Sequence, residues 1–175
     1  MPKRSKKQIN TDEKKVIVEL QKNSSYSIDN LAKNCGFSRQ KIWRIKKRLE
    51  ENKTIWGYHA IIGEEKLNVN RYIILIKLNH LPIENGIEKK MVERTIVKSG
   101  ENMGVTVKDS FWVNGNYDYI VSFFAENLKK AKNFQENFMR TYFGYISEIQ
   151  LLENICTIEK DGFVNPKVIE TQKLL

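Results

Sequence analysis

Through the first fifty positions the apolar residues recur at helical spacing, and after about residue 54 they switch to strand-like alternation. Asn10, Thr11 and Glu13 precede Val16, Ile17 and Leu20 in a capping-box arrangement, which predicts a helix over 12–22. Asn23-Ser24-Ser25 breaks that pattern. Ser27 can cap a second helix with Ile28, Leu31, Ala32 and Cys35 on its apolar side, and Gly36 stops it after barely two turns. Ser38 then opens a third helix. Its apolar members Ile42, Ile45 and Leu49 fall within about 60° of one another, while Gln40, Arg44 and Lys47 point the opposite way. A short helix, a Gly turn, a Ser cap and a basic helix are what a helix-turn-helix requires: a small residue at the crossing, here Ala32, and a tight connection, here Gly36.

The second part reads differently. Residues 53–63 alternate like a short strand and are expected to form a wing or hinge. A strand over 72–78, a helix over 86–98 with Ile87, Met91 and Val92, and a strand over 105–113 follow. Asn114-Gly115 is a preferred pair for a two-residue type I′ hairpin turn. A strand over 117–124, a helix capped by Asn127 with Leu128, Ala131, Phe134 and Phe138 on one face, and a strand over 148–158 complete a βαββαβ order. That is the ferredoxin-like unit. The fold class is α+β: an N-terminal helix-turn-helix, winged-helix-like domain and a C-terminal ferredoxin-like domain. The expected divisions are a basic arm and helix-turn-helix at 1–54, a linker at 55–71, the ferredoxin-like domain at 72–158 and a loosely packed extension at 159–175. Helices cover one face of such a sheet, yet Ile73 to Ile76, Ile120 and Val121 are apolar on both faces, so a homodimer through the free face is expected.

Charge sharpens the division. The 175 residues carry 30 Lys+Arg and 21 Asp+Glu; residues 1–54 hold 15 basic and 6 acidic side chains, and the remainder holds 15 of each. A cationic domain joined to a neutral one points to a polyanion as partner of the first. The second helix of a helix-turn-helix lies in the major groove of double-stranded DNA, which makes Ser38, Arg39, Gln40, Lys41, Arg44 and Lys47 the candidate contacts. Arg pairs with guanine and Gln with adenine in bidentate fashion. Trp43, off the apolar stripe, is expected to pack at the domain edge. The arm at 3–7 either tracks phosphates or is a solubilising tail.

Other chemistry finds no footing in the sequence. Cys35 and Cys156 lie far apart with no metal or redox spacing, and read as small buried hydrophobes. His59 and His80 have no ligand-spaced partners, so no metal is expected. Most of the aromatics of the second domain read as core, and no nucleophile-base pair, phosphate loop or carboxylate pair stands at a catalytic spacing, so neither an enzyme nor a cofactor is expected. Apolar runs fall far short of the ~18 residues that span a bilayer, and no apolar stretch follows the basic N-terminus, so the expectation is a cytoplasmic protein with no membrane partner. The rival reading is an oligomeric ligand sensor or architectural protein without sequence-specific DNA recognition.

The chain resembles the Lrp/AsnC (feast/famine) family of transcription regulators over roughly residues 11–158. The resemblance rests on Leu31-Ala32-Lys33-Asn34-Cys35-Gly36-Phe37-Ser38, on 45–52, on Ile55-Trp56-Gly57-Tyr58 and, most specifically, on Val113-Asn114-Gly115-Asn116-Tyr117-Asp118-Tyr119. It implies a dimer through the sheets, often assembled into tetramers or octamers, with a small-molecule effector, usually an amino acid, bound near the Gly-x-Tyr-Asp turn. By that resemblance Gly115, Tyr117 and Asp118 are candidates for the effector or assembly site.

Overall fold

A computed structural model describes residues 6–79 and 87–171; the expectations for the arm at 3–5, for His80 and for Leu174-Leu175 lie outside the described residues. The chain divides into two compact units, Met1–Ala60 and Ile61–Leu175.

The first unit is three helices: α1 (Lys6–Lys22), α2 (Ile28–Cys35) and α3 (Arg39–Glu51). Helix α1 starts six residues before the expected position, so Asn10 and Thr11 lie inside it rather than capping it. No Gly or Pro interrupts 6–11. Thr11 Oγ1 donates back to the Lys7 carbonyl at 2.9 Å, a bond made within a helix rather than at its start. The other two starts are as expected. Ser27 accepts from the Asn30 amide, and Ser38 from the Lys41 amide. Gly36 takes φ +67°, its N–H donating to the Lys33 carbonyl while Phe37 N–H reaches the Ala32 carbonyl at 2.9 Å; this paired closure needs the left-handed backbone that glycine adopts freely. Val16, Leu20, Leu31, Cys35, Ile42, Ile45 and Leu49 form the core, with Ala32 and Phe37 packed against it. Residues 56–63 form no strand. An extended segment becomes a strand only when a neighbouring strand pairs with it in a ladder, and residues 56–63 enter neither sheet; Trp56 is 94% exposed.

The second unit runs β1 (Asn70–Leu78), α4 (Ile87–Val92), α5 (Thr95–Asn102), β2 (Val105–Trp112), β3 (Tyr119–Ala125), α6 (Leu128–Thr141) and β4 (Ile146–Glu153). The sheet order is β2-β3-β1-β4, antiparallel throughout, as the ferredoxin-like unit requires. Where one helix is expected there are two, separated at Arg94 with φ +57°. The apolar spacing explains the break. Met91 and Ile96 are five apart, which no single helix face accommodates, and the kink returns Ile96, Val97 and Gly100 to the core. Asn127 caps α6 as expected, and Ala131, Phe134 and Phe138 are buried, but Leu128 in the first turn is exposed. Tyr72, Ile74 and Ile76 of β1 and Val121, Phe123 and Ala125 of β3 face these helices, with Phe123 and Phe134 in edge contact at 4.9 Å.

Two turns depart from expectation. Strands β2 and β3 pair Trp112 with Tyr119, and Val113 N–H donates to the Asp118 carbonyl at 2.9 Å, so the loop is 114–117. Asn114 and Gly115 both lack the positive φ of a type I′ turn. The register centres the hairpin between Gly115 and Asn116, one residue beyond the expected pair. The true tight turn is in the tail. Asp161 (φ +50°) and Gly162 (φ +81°) join β5 (Glu159–Lys160) to β6 (Phe163–Val164), so part of the expected loose extension is an ordered hairpin, followed by α7 (Val168–Thr171). Lys160 Nζ lies 2.9 Å from Glu64 Oε1, which also accepts from Arg71 at 3.1 Å. The cations of Arg71, Lys108 and Lys160 all lie over the Phe124 ring.

Burial acts to raise the Glu64 pKa, but hydrogen bonds from Lys160, its own backbone and Arg71 outweigh it and hold the carboxyl below its usual value of 4.5. A depressed folded-state pKa contributes stability that is present above the unfolded value and is lost as pH falls through the folded one. Glu64→Gln should therefore cost about 1 kcal/mol in urea unfolding near neutral pH and less at about pH 3, below the unfolded value. An equal gap at both pH values would refute the pin. The second prediction concerns packing. A Cβ on Gly100 would stand 2.8 Å from Phe134 Cε2 in a filled core, so Gly100→Ala should lower stability by about 1–2 kcal/mol despite alanine's better helix propensity, read from the urea midpoint.

Candidate nucleic-acid interface

The burial of Ile42, Ile45 and Leu49 fixes the roll of α3 and turns Arg39, Gln40, Trp43, Arg44 and Lys47 outward. The predicted contacts separate by what already holds them. Lys41 points inward: its ammonium lies 2.8 Å from Asp12 and 3.3 Å from the centre of the Phe37 ring, and its side chain is only 16% exposed. Asp12 is itself buried, so Lys41 neutralises an acid of α1 and is withdrawn from the set of contacts. The oxygen of Ser38 is taken up by the α3 cap. Arg39 pairs with Asp29 of α2 at 2.9 Å, an exposed bridge that orients the guanidinium and that a phosphate or base can displace.

Arg44 and Gln40 are the uncommitted pair. Arg44 Nε donates only to the Gln40 carbonyl at 3.3 Å, and among the described residues it makes no salt bridge. Lys47 stands 3.7 Å from Glu51 and lies over the Trp43 ring at 5.1 Å. Other cations of this helix serve the fold: Arg48 binds Glu13 of α1 at 2.7 Å, and Lys46 lies over the Tyr58 ring. Burial, with a hydrogen bond to Glu50, pushes the Tyr58 hydroxyl up to about 12, so it is a donor at any physiological pH.

Trp43 lies at the edge of the first unit, outside its buried core. Its side is open, 54% exposed, and with Ile28 it forms the apolar walls of a hollow of about 550 Å³ rimmed by Arg39, Gln40 and Arg44. Its position one residue beyond Ile42, off the buried stripe, already sets it outside the core.

In the second unit the three resemblance-derived residues part company. Asp118 Oδ2 accepts from the Leu78 amide at 2.8 Å, its N–H donates to the Ile76 carbonyl at 2.8 Å, and its carbonyl accepts from Val113. This carboxylate closes the end of β1. Tyr117 reaches across to Glu148 of β4 at 3.2 Å, and Gly115 is exposed at the loop tip with nothing near its Cα hydrogens. His59 is exposed, and among the described residues no group of three His, Cys, Asp or Glu is placed to hold a metal ion. No helix among them is long and apolar enough to cross a membrane.

Comparison with known proteins agrees with this geometry. Residues 13–55 match the family model of the winged helix-turn-helix DNA-binding domain. No curated protein matches the chain in sequence. Among solved structures, PH0061 superposes with a TM-score of 0.69 at 20% identity, covering 91% of this chain and 98% of that one. A transcriptional regulator of Neisseria meningitidis in complex with L-Met gives 0.64 at 16% identity, covering 90% and 97%. An AsnC family transcriptional regulator from Agrobacterium tumefaciens gives 0.62 at 18% identity, covering 90% and 97%. Residues 13–55 are thus similar to winged helix-turn-helix DNA-binding domains, and the chain as a whole has the fold seen in the Lrp/AsnC regulator structures.

Proposed function

We propose that the protein is a transcription regulator that binds specific double-stranded DNA sequences through α3 and acts as a homodimer. One observation carries the reading: on a domain of DNA-binding type, the outward face of α3 presents Arg44 with no acidic partner among the described residues and Gln40 beside it, flanked by Arg39 and Lys47 in exposed pairs, while Lys41 is neutralised by the buried Asp12. Arg and Gln are side chains suited to bidentate contact with guanine and adenine, and a dimer would set two copies of α3 in successive major grooves about 34 Å apart.

The sheet supports the dimer. On the face away from the helices, Phe111, Ile120 and Leu75 form one apolar row across three strands, and Ile73 and Leu152 lie in the next. Phe111 and Leu152 are 48% and 44% exposed in the single chain. Apolar rows of this kind, here with Gln150, Ser122 and Asp109 at positions of the same two rows, are normally covered, and a second copy of the same face is self-complementary about a two-fold axis. Tetramers or octamers would extend the same arrangement. A small-molecule effector, an amino acid by analogy with the neighbour held with L-Met, belongs to this reading. Gly115 and Tyr117 are its candidate contacts in the loop 114–117, with Asp118 holding that loop to β1. The effector would act by binding one assembly better than another, shifting occupancy by no more than that difference in affinity.

Gel-shift titration against a library of random duplexes, at several salt concentrations, tests the DNA reading. Arg44→Ala should weaken the enriched sequence about tenfold or more while leaving non-specific binding nearly unchanged, whereas Lys47→Ala should weaken all sequences alike and lower the salt slope by about one. Equal losses for both variants on every sequence would sink the assignment of the reading helix. For assembly, sedimentation should give a dimer for the wild type and a monomer with an unaltered far-ultraviolet spectrum for Leu75→Glu. A dimer that survives this charge would show that the sheet face is not the interface.

A further inference from the structure

We propose that Trp43 is a base-reading residue that seats the C5-methyl group of a thymine in the major groove. The inference rests on the reading of α3 as the DNA-contacting helix and specifies part of what that helix recognises. The core of the first unit has no need of this indole, since Ile42, Ile45 and Leu49 complete the buried stripe of α3 without it. It stands instead in the middle of the outward face, with Arg39 and Gln40 one turn before it, Arg44 beside it and Lys47 one turn after it. An apolar ring of this size left half open amid cations exposes surface that water solvates poorly. The hollow beside it has a second apolar wall from Ile28, while its rim is the polar set Arg39, Gln40 and Arg44.

The chemistry of the groove selects the occupant. Phosphates and most base edges offer charge or hydrogen-bonding atoms, which the rim residues match. The thymine C5-methyl is the one apolar group on the major-groove edge of the four natural bases, and apolar side chains are its usual contacts. Gln40, one turn before Trp43 and on the same rim, has the donor and acceptor that adenine presents, so the pair suits a site containing A·T base pairs.

The test uses the full-length protein and a duplex enriched from a random library. Each thymine of that duplex is replaced singly by deoxyuridine, which removes only the methyl group. At one or more positions the wild type should bind the uracil form about fourfold more weakly, the value of burying one methyl group. Trp43→Ala should bind thymine and uracil forms equally at those positions, and Trp43→Leu, which keeps an apolar side chain, should retain part of the preference. Circular dichroism confirms that the variants fold. A wild type indifferent to every uracil overturns the inference, including the case in which Trp43→Ala still weakens binding, since the indole would then stack on a sugar or base instead. A preference that persists in Trp43→Ala overturns it too. A library that yields no enriched sequence overturns the DNA-reading assignment itself, and this inference with it.

Discussion

The buried stripe of α3 is the constraint on which the rest of the first unit depends. Ile42, Ile45 and Leu49 lie almost wholly out of water against Val16, Leu20, Leu31 and Cys35. Three apolar side chains at spacings of three and four define one roll of the helix, and rotating it by a single residue would expose all three while burying cations. Each such side chain is worth about 1.5–3 kcal/mol when taken out of water, so the roll is held by several kcal/mol. The outward face then follows without any further interaction. Arg39, Gln40, Trp43 and Arg44 are displayed because the other side of the same helix cannot be, and the αL closure at Gly36 with the caps at Ser27 and Ser38 fixes where α3 begins relative to α2.

What the sequence disclosed follows from how local each feature is. Caps at Ser27, Ser38 and Asn127 and the stop at Gly36 are decided by bonds spanning a few residues, and all four were legible. The start of α1 was not, because Asn10 and Thr11 are compatible with both a cap and a helix interior, and the choice turned on side-chain bonds one turn back, such as Thr11 to Lys7. The paired turns make the same point. Asn114-Gly115 and Asp161-Gly162 are both good type I′ dipeptides, yet only the second forms that turn. The first is overruled by the register of β2 on β3, which is set by the apolar alternation of two whole strands and places the centre of the hairpin one residue further along. The break at Arg94 was visible as the five-residue step from Met91 to Ile96, a step hidden when the helix was read from its first half alone.

The charge count misleads about the site in a way that only packing corrects. An excess of positive residues in the first third indicates a polyanion, but the cations are not equivalent. Lys41 is the counter-charge of a buried Asp12 and Arg48 ties α3 to α1 through Glu13, so both strengthen the platform rather than touch what it presents. Sequence spacing placed Lys41 beside Gln40 and Arg44 because a helix wheel resolves direction to about 100° per residue, and a long flexible side chain can curl round from the boundary of the wheel to either side. Trp43 is the opposite case. Its apolarity argued for burial, and the stripe that would have buried it was already full.

The second unit shows how a sheet with two apolar faces keeps part of its free face covered within one chain. At one end of that face, Phe124 and Ser122 are buried: Lys160 of the tail hairpin and Arg71 of β1 converge on Glu64, and the cations of Arg71, Lys108 and Lys160 lie over the Phe124 ring. Phe111, Ile120, Leu75, Ile73 and Leu152 lie beyond this cover and remain open. The tail therefore does more than follow the domain. By adding Lys160 to Arg71 and Lys108 at the Phe124 end, it makes that end of the face charged and leaves the rows through Leu75 and Ile73 as its open apolar part.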